Sequence, residues 1–81
     1  MSMDCITFRS ITPAQRGQRT LRQGGVEASL QRTPRRMEQR GCGYCLRIRS
    51  TELHRAIRLL NQAGIEFQNI FNLETGERVE P

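Results

Sequence analysis

Residues 5–10 read C-I-T-F-R-S, and residues 45–50 read C-L-R-I-R-S. Cys5, Arg9 and Ser10 thus recur forty positions later as Cys45, Arg49 and Ser50. Further along, L-R-Q-G-G-V-E-A at 21–28 is echoed by L-N-Q-A-G-I-E-F at 60–67, with a one-residue gap. The 81-residue chain is therefore one structural unit written twice.

Each unit has the same grammar. It opens on an alternating segment, with Ile6 and Phe8 on one face and Cys5, Thr7 and Arg9 on the other, the period of a half-buried strand. A helix follows. Thr12-Pro13-Ala14-Gln15 predicts a capping box with proline at the first helical position, and Ser50 is the expected cap of the second helix. Ala14, Gly17 and Leu21 form a narrow apolar stripe on helix one, and Leu53, Ala56, Ile57 and Leu60 form a core-facing side on helix two. Gly24 or Gly25 is placed to end the first helix and Gly64 the second. A second strand is expected at about 27–33 and again at about 66–73.

The order β-α-β, β-α-β predicts an α+β, ferredoxin-like fold: a four-stranded antiparallel sheet with both helices on one face. A single domain is expected over 1–75, with repeats at about 5–34 and 43–73 and a flexible tail at 76–81. The first strands of the two units are expected side by side in the centre, running parallel.

Hydrophobic residues make up only 36% of the chain, so its core is thin and a homodimer would reinforce it. All thirteen basic residues are arginine and the net charge is +5, which permits anionic partners without selecting one. No apolar run reaches membrane-spanning length, and M-S-M-D-C-I-T-F lacks the basic-then-apolar layout of a signal peptide. A cytoplasmic location follows as an expectation, and with it three reduced cysteines rather than structural disulfides.

On the expected open sheet face, Cys5, Arg9, Arg47 and Arg49 come together, with Cys5 and Cys45 near the N-terminal ends of their strands and Cys42 at the same edge. Cys5 and Cys45 belong to strands and read equally as small space-fillers. Cys42 belongs to a loop. Gly41 and Gly43 leave its sulfur uncrowded, and Arg35, Arg36 and Arg40 precede it as groups able to stabilise a thiolate.

The C-G-Y-C spacing of residues 42–45 is open to several chemistries. A zinc site needs about four ligands, and one C-x-x-C, Cys5 and His54 do not supply a convincing set within one chain. A thioredoxin-type pair starts a helix, whereas this one runs into a strand, where positions 42 and 45 point to opposite faces unless Gly43 bends the chain. An RNA-binding sheet would need aromatics on its open face, which has none. No catalytic constellation supports an enzyme, and no cofactor or resident metal is expected. A carrier thiol needs only an accessible cysteine beside positive charge, and Cys42 fits that description.

T-F-R-S, A-Q-R-G, S-L-Q-R-T-P-R and G-C-G-Y-C-L-R-I-R resemble a small bacterial family described as putative selenium/sulfur (Se/S) carrier protein-like, otherwise a domain of unknown function. The resemblance spans about Ile6 to Phe71. Its most specific part, T-P-R…C-G, falls on Thr33, Pro34, Arg35, Cys42 and Gly43. It implies that Cys42 bears the sulfur or selenium. The sulfur carriers of tRNA thiolation use C-P-x-P at a helix start, a motif this chain does not contain.

Three functions therefore stand side by side. The first is a chalcogen carrier, with donor and acceptor proteins as partners, Cys42 as carrier thiol, Arg35 and Arg40 as anion stabilisers and Cys45 as resolving thiol. The second is a dimeric binding module whose arginine face docks an anionic ligand, nucleic acid or acidic partner. The third is a redox or metal sensor built on Cys42, Cys45 and Cys5.

Overall fold

The structure, a computed structural model, describes residues 2–33 and 43–80. Pro34, Arg35, Arg36, Arg40, Gly41 and Cys42 lie outside the described residues, as does Pro81.

Strand β1 (Met3–Phe8) leads into helix α1 (Ile11–Gln23) and strand β2 (Ser29–Arg32); strand β3 (Tyr44–Arg49) leads through one 3-10 turn (Ser50–Glu52) into helix α2 (Leu53–Gln62) and strand β4 (Ile70–Asn72). The four strands form one antiparallel sheet in the order β2-β3-β1-β4. This is the ferredoxin-like α+β arrangement. One face of the sheet carries the core: Ile6, Phe8, Leu46, Ile48 and Ile70 pack with Ala14 and Leu21 of α1 and Leu53, Ala56 and Leu60 of α2.

The central strands are neighbours as expected, but they run antiparallel, with Met3 opposite Arg49 and Phe8 opposite Tyr44. The expectation of a parallel pair equated translation along the sequence with translation in space. In fact β2 and β3 are antiparallel neighbours, so the chain reverses between the repeats and the second unit runs against the first. Each unit's own two strands point the same way, split by a strand of the other unit.

Both helices close with the same device. The Gly25 N–H donates to Arg22 O (3.0 Å) and the Val26 N–H to Leu21 O (2.8 Å); in α2 the Gly64 N–H donates to Asn61 O (3.1 Å) and the Ile65 N–H to Leu60 O (2.9 Å). This is the Schellman pattern, and its left-handed residue is glycine in each case, with φ of 84° at Gly25 and 69° at Gly64. The two apolar pairs that accompany it, Leu21 with Val26 and Leu60 with Ile65, are buried. The echo of Q-G-G-V in Q-A-G-I is thus the same helix stop used twice.

The helix starts differ from expectation. Ser10 occupies the N-cap of α1, so Thr12 lies inside the helix instead of capping it, and Pro13 is the third helical residue rather than the first. Proline is tolerated there because first-turn N–H groups have no intrahelical acceptor. Ser50 does not cap α2 directly. It opens the 3-10 turn, its hydroxyl donates to Ser2 Oγ (3.0 Å), and Glu52 takes the N-cap position.

Residues 76–80, expected to be a loose tail, carry their own pairing. Phe71 bridges Arg78, the Asn72 N–H donates to Glu77 O (2.8 Å), and the Val79 N–H donates to Ile70 O (2.7 Å). These bonds occupy the outer edge of β4, where an unpaired strand would otherwise present free backbone groups.

Candidate functional site

Alternation along the strands puts Cys5, Thr7, Cys45 and Arg47 on the sheet face away from the helices. The antiparallel register then sets Cys5 opposite Arg47 and Thr7 opposite Cys45. The two cysteines are diagonal neighbours across the central strand pair, close enough for their side chains to meet. Each thiol shifts the other's ionisation. Neither is disulfide-bonded, and neither exposes any surface.

This is a different clustering from the expected one. Cys5 and Cys45 meet although their strands run in opposite directions, because both lie near the middle of the central pair. Arg9 does not join Arg47 and Arg49. Arg49 pairs with Met3 at one end of the sheet, while Arg9 follows Phe8 at the other end, six strand positions or about 20 Å away. Arg9 instead lines a groove of about 460 Å³ with Ser10, Pro13, Arg16, Gly64 and Phe67, beside the start of α1.

Neighbours of the thiol pair come from β2 and its end. Gln31 lies directly opposite Cys45. Just beyond, the Thr33 N–H donates to Gly43 O (3.0 Å), which pins together the two ends of the segment 34–42. Thr33 is 8% exposed, and its hydroxyl oxygen is buried without a well-formed hydrogen bond among the described residues. A Cβ on Gly43 would come within 3.2 Å of that oxygen, so glycine permits the close approach. Thr7, by contrast, is fully engaged elsewhere. Its hydroxyl donates to Asn69 O (3.2 Å) and accepts from Asn69 N (3.0 Å), which ties the start of β4 to β1.

The electrostatics of the pair are asymmetric. The hydrogen bond to Cys45, then burial, pushes the Cys5 thiol far above its ordinary range, and the negative charge of Asp4 adds to that. Cys45 moves the other way. The hydrogen bond from Cys5 lowers it most, burial opposes, and the neighbouring Gln31 and Thr33 side chains add to the lowering. Of the two sulfurs, Cys45 is therefore the one that ionises first, and Cys5 holds its proton to higher pH.

Of the residues singled out from the sequence, the structure brings together Cys5, Cys45, Thr33 and Gly43, with Arg47 beside them. Cys42, Pro34, Arg35, Arg40 and Gly41 fall outside the described residues. Gln31 was not anticipated. Only the β2–β3 register reveals it, and no local pattern in S-L-Q-R-T announces that register. Asp4 was also missed. It is 3% exposed on the helix-facing side, where its carboxyl oxygen accepts from Asn72 Nδ2 (3.2 Å).

Residues 4–72 match the family described as Putative Se/S carrier protein-like. The chain belongs to that family. The match begins at the second residue of β1 and ends with β4, so it takes in all four strands and both helices. No curated protein and no solved structure matches the chain. Membership in a carrier family implies donors and acceptors in general, and among the described residues no helix is long and apolar enough to cross a membrane.

Proposed function

We propose that this member of the Se/S carrier family holds sulfane sulfur, or its selenium equivalent, on Cys42 and hands it to an acceptor protein. The observation that carries this reading is the family match across 4–72, which includes the T-P-R…C-G residues. The hydrogen bond between Thr33 and Gly43 supports it, because it joins one residue from each half of that motif. In the cytoplasm, a donor protein carrying a persulfide would meet the Cys42 thiolate. Cys42–S⁻ attacks the outer sulfur of donor–S–SH, forming Cys42–S–SH and releasing donor–S⁻. The acceptor nucleophile repeats the same attack on Cys42–S–SH and restores the Cys42 thiolate. No external oxidant or reductant enters either exchange. Arg35 and Arg40 lower the cost of the persulfide anion.

The test is peptide mass spectrometry after incubation with a cysteine desulfurase-type donor and cysteine. The Cys42 peptide gains the mass of one sulfur, and Cys42→Ser abolishes the gain. Equal loading of Cys42→Ser would end the proposal.

A further inference from the structure

The net charge of the chain is not spread evenly over it. Helices α1 and α2 hold five of the thirteen arginines and none of the eight acidic residues, and the eight arginines elsewhere are matched in number by those acids. The whole excess of +5 therefore sits in the helical layer. Arg16, Arg19, Arg22, Arg55 and Arg58 are all exposed, while Ala14, Gly17 and Leu21 of α1 and Leu53, Ala56 and Leu60 of α2 face inward. Arg55 Nη2 donates to Gly24 O (2.6 Å) at the end of α1, which joins the two helices into one surface. Among the described residues the one salt bridge is Arg78–Glu80, so none of the five has an acidic partner there.

Fold stability gives no reason for this arrangement. A solvated helix face ordinarily interleaves both signs, and acid–base pairs three or four apart support it. Here Arg16, Arg19 and Arg22 follow one another at i, i+3, as do Arg55 and Arg58, and neighbouring like charges destabilise a helix. Only Arg22 lies in a last turn, where the helix dipole favours a cation. A polyanionic partner gives the reason that folding does not.

We propose that the outward face of the α1–α2 layer binds the backbone of double-stranded RNA, with Arg16, Arg19, Arg22 and Arg58 on phosphates and Gln15 and Gln23 at ribose hydroxyls. An acidic protein would need apolar or aromatic anchors at the centre of its contact. The surface offers none: Ile11 is the one exposed large hydrophobic among the described residues, at the very start of α1. A groove of about 400 Å³ on α1 is lined by Gln15, Gln18, Arg19, Arg22 and Gln23, all polar. Single strands are held by stacking bases on aromatic rings, and neither helix contains Phe, Tyr or Trp. A helix that reads DNA enters the major groove, whereas α1 lies beside α2 in a shared layer and presents a broad face. The wide, shallow minor groove of A-form RNA suits such a face and displays 2′-hydroxyls. Gln15 and Gln23 are exposed, and a glutamine amide both donates to and accepts from a hydroxyl; Gln18 is already engaged, its Nε2 donating to Ala28 O (3.0 Å). This surface does not depend on the carrier reading.

The experiment titrates the full chain, kept reduced, into a fluorescent RNA duplex and follows anisotropy from about 50 to about 200 mM salt. The logarithm of affinity falls with the logarithm of salt at a slope of about −3.5, the counterion release of four phosphate contacts. Arg19→Gln with Arg22→Gln weakens binding about tenfold and makes the slope shallower by about 2. Arg47→Gln with Arg49→Gln removes the same charge from the sheet and weakens binding less than threefold. Both variants keep the circular dichroism of the parent, since all four side chains are exposed. Equal losses for the two double variants overturn the proposal, because they mean a diffuse charge effect. Equal affinity for a DNA duplex of the same sequence, or tighter binding to polyglutamate than to RNA, overturns it as well. The RNA preference disappears in Gln15→Ala with Gln23→Ala, and its survival there removes the ribose contacts from the proposal.

Discussion

Ile6 and Leu46 face each other directly across the two central strands, and they are also equivalent positions of the internal repeat. The forty-residue offset of the repeat and the antiparallel register coincide at this one pair. The two-fold axis that relates the units therefore passes between Ile6 and Leu46. Cys5 and Cys45, one position before each of them, straddle the axis on the opposite face. The repeat thereby produces a dithiol pair from a single cysteine position copied once.

The axis is packed from the helix side at Gly17. A Cβ there would come within 3.2 Å of Leu46 Cδ1 and Phe8 Cζ and 3.3 Å of Leu60 Cδ2, all in side chains that are fully buried. Alanine would gain up to about 1 kcal/mol of helix propensity, but overpacking a closed core costs about 1–3 kcal/mol. Gly17→Ala is expected to lower stability by about 1 kcal/mol in urea denaturation, and Gly17→Val by more. A rise in the urea midpoint for Gly17→Ala would show that Leu46 and Leu60 yield freely.

Gly64 isolates the backbone contribution. Its φ is 69°, and nothing lies within 4 Å of the position a Cβ would take, so a substitution meets strain but no clash. Gly64→Ala should cost about 1 kcal/mol and Gly64→Asn less, since asparagine tolerates the left-handed region better. Thermal denaturation ranks the three, and Gly64→Ala matching the parent would contradict the Schellman assignment.

Asn72 holds the far end of the sheet. Its Nδ2 donates to Ser2 Oγ (3.0 Å) and to Asp4 Oδ1 (3.2 Å), and its Oδ1 accepts from the Glu74 N–H (2.9 Å) and the Thr75 N–H (3.0 Å). Asn72→Ala leaves the buried Asp4 carboxyl without this donor, a loss of about 2 kcal/mol. Asn72→Ala combined with Asp4→Ala should recover part of that cost in a double-mutant cycle. Strictly additive losses would mean that Asp4 and Asn72 do not couple.

What was legible in the sequence was local. The stripe of Ala14, Gly17 and Leu21 and the stops at Gly25 and Gly64 are readable because helix period and left-handed backbone act within a few residues. The direction of β3 was not readable, because a repeat fixes the content of each unit and leaves the turn between them open. That single reversal moved Arg9 away from Arg49 and set Cys5 diagonal to Cys45, opposite Arg47. Gln31 and the Asp4–Asn72 bond were hidden for the same reason: each depends on cross-strand register, which no single segment encodes. Thr33 was flagged by the family resemblance, but its place beside the Cys45 thiol came only from the fold.

The thiol pair leaves a signature in the pH dependence of stability. The ordinary thiol value is 9.0; Cys45 lies below it in the folded chain and Cys5 well above it. From the folded value of Cys45 up to pH 9, the unfolded state binds the extra proton, so this residue adds stability as pH rises. Above pH 9 the unfolded chain releases the Cys5 proton that the native state retains, so stability falls, by about 1.4 kcal/mol per pH unit for one proton. The difference between the parent and a Cys5→Ala/Cys45→Ala double variant should therefore peak near pH 9 and decline toward pH 10. Taking that difference cancels every contribution the two proteins have in common. Urea midpoints measured from pH 7.5 to 10 give the curve, and parallel profiles for the two proteins would show that folding does not shift the two thiols.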